Sequence, residues 1–473
     1  MFSHNLGRAL AIASAVLLSA CKTFSPDGGM SAVAAVAGGG LNKSVVRISS
    51  AEDASVARSE VGRLLHAPIG ADAAVQIALL NNPGLQAAYN RLGVAEAVMV
   101  QMSRPPLPRF AFDRVSTSIE LDIERQIVGS LLSLATWPAR SKLAGARFEQ
   151  AELIAAEETL RLAVETRRAY IRAVAARQIL TALGTAKASA EAAAALAENL
   201  AQTGAVNKLD HARRQVFATE RGAQVTAARQ QAAAAQERLT RLMGLWGTDL
   251  ARLLPNALPP LPRTTRGLAA VEQEAMDRRV DLAVARLEVE ALARSFGLTR
   301  KTRLINVLDA GGISKTQKDK GEASAGGGGF SIAFEVPLYD FGRARVREAE
   351  QGYLEAVNAL AEKAVNARSE AREAFGAYKA THTVAAQYER EVLPLRETIS
   401  AETEMQYNAM QVDAFALLEA TRAKAAAKVA SIEARRNFWL ASTDLSAAVL
   451  GGGRLGQQAE AVMAADAGDA PGL

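Results

Sequence analysis

The hydrophobic period of the chain changes abruptly between residues 326 and 378. Phe330, Ile332 and Phe334 alternate with small or polar residues, and this period of two predicts a strand with one apolar face. Pro337 closes the strand, because proline has no N–H to donate to a ladder. After Gly342 a seam of small and apolar residues recurs every three or four positions, which is typical of a closely packed helix. The seam consists of Val346, Ala349, Tyr353, Ala356, Leu360, Ala364, Ala367, Ala371, Ala374 and Tyr378.

The first half of the chain shows a similar succession. Asp72–Met102 has helical periodicity, its first residue is placed as an N-cap, and its proline predicts a break near Asn82. Residues 109–136 alternate as strands do, with a slip of parity near Val128 that predicts a bulge. Trp137-Pro138 is expected to close this strand region.

Long helices follow the strands in both halves. One is predicted from Ala139 to about Thr203, with a reversal at Gly204 and Asn207 and a returning helix over 208–246. A helix of this length is typical of coiled-coil-like packing rather than of a compact globule.

Internal repetition organises the whole sequence. The second half has its own strand pair over about 303–338, with residues 314–329 predicted as a polar loop between the two strands. The corresponding segments are Asn82–Leu85 with Arg279–Leu282, Trp137-Pro138 with Val336-Pro337, and Gly204, Asn207 and Leu209 with Met410, Asp413 and Phe415. The predicted fold is therefore mainly α with a small β portion: a duplicated β-hairpin plus long antiparallel helical hairpins.

The N-terminus reads as a secretory signal. Arg8 precedes an apolar run over 9–18 and two small residues, a stretch too short to span a membrane. Residues 17–21 resemble the lipobox of bacterial lipoproteins, which implies that Cys21 becomes the lipidated first residue of the mature protein. Lys22 after it implies sorting to the outer membrane.

These features divide the sequence into six segments. They are a signal peptide (1–20), a lipidated N-terminal tether (21–69) expected to be extended over 23–60, a first repeat (70–250), a proline-rich linker (251–267), a second repeat (268–450) and a flexible C-terminal tail (451–473).

Composition and candidate chemistry narrow the function. With 55 Lys and Arg against 50 Asp and Glu, the net charge of +5 is too balanced to indicate a nucleic-acid partner. The four histidines are scattered without metal-ligand spacing, and no acid–base cluster or cofactor motif occurs. The sequence predicts neither an enzyme nor a cofactor.

Two candidate sites remain. Cys21 is the predicted anchor. The other site is the pair of helical tips, with Gly204, Asn207 and Asp210 in the first half and Met410 and Asp413 in the second. The simplest interpretation of the tips is a pair of helix reversals, with Asn207 and Asp413 as caps of the returning helices.

Together these features resemble the TolC-type outer-membrane efflux proteins over about residues 70–450. The segments that carry the resemblance are Ala78–Leu85, Val336–Gly342, Val392-Leu393-Pro394 and Tyr407–Met410. Met410 stands where the family usually has glycine, and the acidic strand Glu120–Glu124 departs from the usual apolar one.

The resemblance implies a lipid-anchored protein of the bacterial outer membrane that extends into the periplasm. Its expected assembly is a homotrimer whose protomers each give four strands to one shared barrel, continued by a helical tunnel. The expected partners are outer-membrane lipid, a periplasmic adaptor and an inner-membrane pump. The helical tips are then expected to line a periplasmic mouth that meets the adaptor, an interpretation compatible with capped reversals. Four strands alone leave open edges, and backbone groups at such edges are costly in lipid, so the requirement for an oligomer also follows from physics.

Three functions compete at this point. The first is a passive export duct. The second is a non-conducting periplasmic coiled-coil structural or adaptor lipoprotein, although an adaptor needs one helical hairpin and this chain predicts two. The third is an envelope enzyme on a helical scaffold. In the duct, Phe330, Ile332, Phe334 and Val336 are expected to face lipid, and Ser331, Ala333 and Glu335 the lumen.

Overall fold

The computed structural model describes residues 23–202, 207–246, 254–264, 267–319, 321 and 323–451. In the first half the elements are α1 (Met30–Leu41), α2 (Ala51–Leu65), α3 (Ala71–Asn81), α4 (Pro83–Met102), β1 (Arg109–Ser116), β2 (Glu120–Ser130), α5 (Leu131–Gln202) and α6 (Lys208–Leu242). In the second half they are α7 (Leu268–Arg278), α8 (Val280–Lys301), β3 (Val307–Asp319), β4 (Ala325–Glu335), α9 (Arg343–Gln387), a π-helical turn (Tyr388–Val392), α10 (Leu393–Asn408) and α11 (Ala414–Leu450).

This order confirms the predicted duplication of strand pair, long helix and returning helix. The seam predicted for α9 is also confirmed, because each of its residues from Val346 to Tyr378 is buried or half-buried. Ala367 and Ala371 are completely buried, as expected where alanine lets neighbouring backbones approach.

The four strands form one antiparallel sheet in the order β1-β2-β3-β4. Two expectations about it were wrong. The predicted bulge is absent from the described strands, since Val128 pairs with Gly311 and Gly129 with Ala310 in unbroken register. Most of the predicted loop over 314–329 is strand, with Ser314 opposite Gly328. A ladder uses backbone groups, so a run of Lys and Gly can join it despite its loop-like composition.

The strand-to-helix junction of the first half also differs from expectation. Helix α5 begins at Leu131, so Trp137 and Pro138 lie inside it rather than ending a strand. The Trp137 indole Nε1–H donates to the Ser103 carbonyl at 2.8 Å, and Arg140 Nη2 donates to the Ser133 carbonyl at 2.7 Å. Pro138 has no backbone N–H to donate, and the side chains of its neighbours Trp137 and Arg140 donate hydrogen bonds to nearby carbonyls instead.

The described residues form two compact units. One unit comprises residues 23–32, 89–155 and 282–363 and contains the sheet; inside it Met99, Val100, Ala144 and Phe148 pack together. The other comprises residues 33–88, 156–281 and 364–451 and is helical. Its largest core cluster includes Ile77, Leu80, Tyr170, Leu239 and Met243.

The expectation of an extended tether over residues 23–60 was wrong. Helices α1 and α2 lie there, and Ser50 and Asp53 form a reciprocal capping box at the start of α2. Val61 is buried, and Leu64 packs against the main core cluster of the helical unit. Burial of these apolar side chains stabilises the two helices, which the alanine- and glycine-rich composition of the segment did not predict.

Helix breaks follow α3 and α7, at equivalent points of the two halves. Asn82 ends α3 with an extended ψ of 118°, and Arg279 ends α7 with a ψ of 119°. The break predicted near Asn82 is confirmed. The predicted cap is not: Gly70 is the N-cap of α3, and Asp72 lies in its first turn, where it pairs with Arg167.

Each break holds the C-terminal end of a returning helix, within the helical unit. In the first half Asn81 Nδ2 donates to the carbonyls of Met243 and Gly244, and Asn82 Nδ2 donates to Leu242. Gly244 has a φ of +66°, and a Cβ there would overlap the Asn81 carbonyl. The chain therefore needs glycine at this point of contact.

The second half holds its returning helix with charge instead. Arg279 donates to both carboxylate oxygens of Asp281 at 2.8–2.9 Å, to Glu370 at 2.7 Å and to the Ala448 carbonyl at 3.3 Å. Burial alone would lower the pKa of Arg279, but hydrogen bonds and attraction from Asp281 and Glu370 outweigh it and raise the pKa. Gly451, with a φ of +96°, lies against Asp281.

Strand β4 is joined to helix α9 by a tight turn in the sheet-containing unit. Asp340 caps the helix by accepting hydrogen bonds from the N–H groups of Gly342 and Ala344 at 2.9 and 3.0 Å. These two bonds, with that from Ala344 the larger influence, hold the pKa of Asp340 below its usual value. Gly342 has a φ of +70°, and a Cβ on it would overlap the Arg303 carbonyl oxygen.

Gly342→Ala should therefore destabilise the protein by more than about 1 kcal/mol, because the backbone conformation is incompatible with a Cβ. Thermal unfolding followed by circular dichroism measures the effect. Gly352→Ala is the matched control, since Gly352 lies within α9 with open space around it and alanine favours a helix. Equal effects of the two substitutions would contradict the role of the turn.

Candidate functional site

The two faces of the sheet differ in chemistry. Residues directly opposite each other in an antiparallel pair share a face, so the pairing register assigns every strand residue to one face. What we call the apolar face carries Phe110, Phe112, Leu121, Ile123, Ile127, Leu308, Ala310, Phe330, Ile332 and Phe334. What we call the polar face carries Asp113, Glu120, Asp122, Glu124, Gln126, Asp309, Lys315, Gln317, Ser331 and Glu335.

This register confirms the alternation predicted for β4. Phe330, Ile332 and Phe334 are 84, 60 and 72% exposed on the apolar face, and Glu335 lies on the other. Val336 lies beyond the end of the strand. A row of exposed aromatic and aliphatic side chains along a sheet requires an apolar environment or partner.

The acidic strand β2 also follows this alternation. Glu120, Asp122 and Glu124 all lie on the polar face, while the intervening Leu121 and Ile123 lie on the apolar face. Lys315 Nζ pairs with Asp122 at 2.9 Å, and Gln317 donates to Glu120. The acidic residues of β2 therefore add charge to the polar face and leave the apolar face uninterrupted. This consequence became visible only with the pairing of the strands.

Strands β1 and β4 are the edges of the sheet, each with one neighbour in the protomer. Both are long enough to pair further, with 8 and 11 residues. The helices join the sheet at one end, and the connections from β1 to β2 and from β3 to β4 lie at the other. We call these the helix end and the turn end of the sheet.

The second candidate site lies at the reversal between α10 and α11. Asp413 is the N-cap of α11, and its Oδ1 accepts from the Ala416 N–H at 2.9 Å. Met410 is 93% exposed and has a φ of +57°, a left-handed conformation that favours glycine. The N–H of Gln411 donates to the Gln406 carbonyl at 2.8 Å, which closes the end of α10.

Side chains of α6 meet those of α10 and α11 near this reversal, within the helical unit. Arg422 pairs with Glu220, the guanidinium of Arg213 lies 5.2 Å from the centre of the Phe415 ring, and Arg214 donates to the Tyr407 hydroxyl at 3.2 Å. A groove of about 350 Å³ runs between the two helices beside these residues. The groove is open to a partner of complementary shape.

Arg221 lies beside this groove and is nearly buried, at 6% exposure. Its guanidinium lies 4.8 Å from the centre of the Phe217 ring, and Nη1 donates to Gln224 at 2.7 Å. The pKa of Arg221 lies below its usual value, chiefly because the side chain is buried and also because Arg422 repels its charge.

The structure locates three of the six predicted site residues in full. Met410 and Asp413 lie together at the reversal, and Asn207 precedes α6, where its carbonyl accepts from the His211 N–H. Asp210 lies within α6. Cys21 and Gly204 are outside the described residues.

In the part of the chain that the structure describes, no group of three or more His, Cys, Asp or Glu side chains is arranged to hold a metal ion. Among the described helices, none combines the length and the apolar character needed to cross a membrane.

The fold is that of bacterial outer-membrane channels. The outer-membrane channel OprN matches with a TM-score of 0.67 and 20% identity over 84% of this chain and 90% of its own. The Campylobacter jejuni channel CmeC matches with a TM-score of 0.66 and 16% identity over 86% and 89%. The open state of the Neisseria gonorrhoeae channel MtrE matches with a TM-score of 0.66 and 15% identity over 80% of this chain and 88% of its own.

No family model matches the chain, and no curated protein sequence does either. At this level of identity the comparisons define the architecture of the chain. The resemblance noted in the sequence is thus confirmed for the fold.

Met410→Gly should stabilise the reversal by about 0.5–1 kcal/mol. Glycine removes the cost of the left-handed conformation, and the larger conformational entropy that glycine loses on folding offsets part of this gain. Hydrogen exchange of the amides over 407–413 should slow by about two- to fivefold. Met410→Ala is the control, since it removes the same side chain and keeps the Cβ. Equal slowing in both variants would show that side-chain exposure, not backbone conformation, governs this turn.

Proposed function

We propose that the protein is the outer-membrane duct of a tripartite efflux or export system and conducts substrates passively. The observation that carries the proposal is the sheet: one face is apolar and exposed, the other is rich in charge, and both edges are open. Alternation of this kind suits a wall between lipid and water. The shared fold with known outer-membrane channels supports it.

The open edges support a homotrimer. Unpaired N–H and C=O groups of β1 and β4 cost several kcal/mol each in a lipid environment, and the way to satisfy them is to pair β1 of one protomer with β4 of the next. Closure of a sheet through three copies would place the apolar face outside and the polar face around a water-filled lumen.

The polar face favours the passage of cations. Asp113 lies directly opposite Glu124, and Glu120 lies opposite Asp319, so like charges face each other across the strands. Lys315 offsets only part of this charge through its pair with Asp122. Three copies of such a face around a lumen would concentrate cations from solution.

The helical tips would form the periplasmic mouth and receive the adaptor that links the duct to an inner-membrane pump. The groove between α6 and α11, with its ion pair and its exposed aromatic and apolar residues, is a surface of the right kind for a helical partner. Acylation of Cys21 would add a lipid anchor, which together with the sheet gives stable attachment to the outer membrane.

Planar-bilayer recording of purified trimers tests the proposal and separates it from a non-conducting coiled-coil lipoprotein. The wild-type protein should give channels that select cations. Phe330→Arg, on the apolar face at the middle of β4, should cost about 2–4 kcal/mol and should reduce the yield of heat-modifiable trimers. Ala333→Arg, on the polar face, should leave assembly intact and lower cation selectivity. The proposal fails if trimers do not conduct.

A second prediction concerns the mouth. Three copies of Asp413 near a common axis would form an acidic ring that binds multivalent cations. Because the three carboxylates would repel one another, other contacts would have to hold the mouth closed at rest. Divalent and trivalent cations should block conductance from the periplasmic side. Asp413→Asn should weaken this block by at least tenfold while keeping the N-cap, because asparagine caps helices as well as aspartate does. Unchanged block in Asp413→Asn would leave Asp413 as a helix cap alone.

A further inference from the structure

Three basic residues interrupt the apolar face of the sheet near its turn end. Arg114 lies opposite Ile123, Arg125 lies opposite Phe112, and Lys318 lies opposite Leu121. All three therefore belong to the face that carries Phe330, Ile332 and Phe334 rather than to the charged one. They occupy three consecutive rows of that face, and rows are about 7 Å apart.

The three cations are close enough to act on one ligand. Arg114 and Arg125 are diagonal neighbours across β1 and β2, a relation that places side chains about 7–8 Å apart at their base. Lys318 lies on the next strand, two positions beyond the row that contains Arg114. Side chains of this length converge readily from such positions.

All three side chains are exposed, and within the described part of the chain none of them has an ion pair or a side-chain hydrogen bond. Lys315 provides the contrast. It lies at the same end of the same strand but on the polar face, where it pairs with Asp122 at 2.9 Å.

Strand β4 carries no side chains in two of the rows that hold these cations. Gly328 lies in the row of Arg125 and Ser314, and Gly326 lies in the row of Arg114 and Thr316. A Cβ placed on either glycine would meet only a backbone carbonyl, at 3.8 Å or more. The result is a recess on β4, two strands from Arg125 and three from Arg114, with Phe330 at the side of the helix end.

We propose that these three cations bind the phosphorylated headgroup of an anionic lipid in the outer-leaflet half of the sheet. The proposal rests on the proposed function, which places the apolar face in the membrane. Acyl chains would lie along the Phe330, Ile332 and Phe334 rows. The phosphate groups would lie over Arg114, Arg125 and Lys318.

Lipid fits this surface better than a protein partner does. The cations continue an apolar band on the same face, which is the arrangement that an amphipathic molecule with an anionic head and long apolar chains requires. They also lie at the end of the sheet away from all four helix connections. With the helices in the periplasm, that end reaches the outer surface of the membrane.

The probe is diphosphoryl lipid A, titrated into purified full-length trimers in uncharged detergent and followed by native mass spectrometry. The same lipid without its phosphates is the comparison, and inorganic phosphate is the competitor. Wild-type protein should bind the phosphorylated lipid at least tenfold more tightly than the dephosphorylated one. Millimolar inorganic phosphate should not displace it, because free phosphate lacks the chains.

Each cation near an anionic headgroup contributes about 1 kcal/mol, which is about a fivefold change in affinity. Arg114→Gln, Arg125→Gln and Lys318→Gln should each weaken binding by about fivefold, and the triple variant by about 100-fold. Lys315→Gln is the matched control, since it removes one charge from the same end of the sheet on the opposite face, and it should change affinity less than twofold.

Wild-type affinity in the triple variant, or equal binding of the two lipids, would overturn the inference. Loss of binding in Lys315→Gln equal to that in Arg125→Gln would overturn it as well, because net charge rather than this face would then be responsible. Conductance in bilayers of uncharged lipid is recorded in parallel and should not change in the triple variant. Non-conducting wild-type trimers would refute the proposed duct, whereas the lipid titration tests only this site.

Discussion

The uninterrupted register of the four strands governs the chemistry of the molecule, because a shift of one residue would move every side chain of a strand to the opposite face. In this register the acids of β2, Glu120 to Glu124, join the polar face, and the aromatic residues of β1 and β4 join the apolar one. Gly311 helps to keep it, since a Cβ there would lie 2.5 Å from the Ile127 carbonyl oxygen. The open edges, the charged lumen and the lipid-facing surface of the proposed duct all depend on this pairing.

The duplicated halves solve one backbone problem with different side chains. Each returning helix ends against the break between two short helices, and each junction contains a glycine with positive φ, Gly244 or Gly451. In the first half the neutral amides of Asn81 and Asn82 bind the carbonyls at that end. In the second half Arg279 does so while paired with Asp281, and such a buried pair is costly to break on one side. The geometry is common to both halves even though the chemistry is not.

Periodicity was enough to predict the architecture, and local composition was misleading where tertiary pairing decided the outcome. The seam of α9 and the parity of β4 follow from spacing alone, and the break at Asn82 follows from the proline after it, which is why all three could be predicted. Residues 314–329 look like a loop because Lys and Gly avoid strands, yet the partner strand satisfies their backbone. The helices within 23–69 depend on a core built from distant residues such as Tyr170 and Leu239, and no local signal reports such contacts. The tips could be predicted as reversals, and the left-handed conformation of Met410 could not.

The distribution of charge on the sheet is the feature that folding alone does not require. Alternation needs apolar and polar residues on opposite faces, but it does not need the carboxylates on one face and unpaired cations on the other. On the polar face Lys315 has an acidic partner within 3 Å, so the protein itself supplies its counter-ion. On the apolar face Arg125 lies between Phe112 and Ser314 with no acid in its row, and a cation in that position gains most from an anion supplied from outside the protein. Basic residues thus stand on the face where the protein offers them no counter-ion, at the end of the sheet where a membrane surface would supply phosphate.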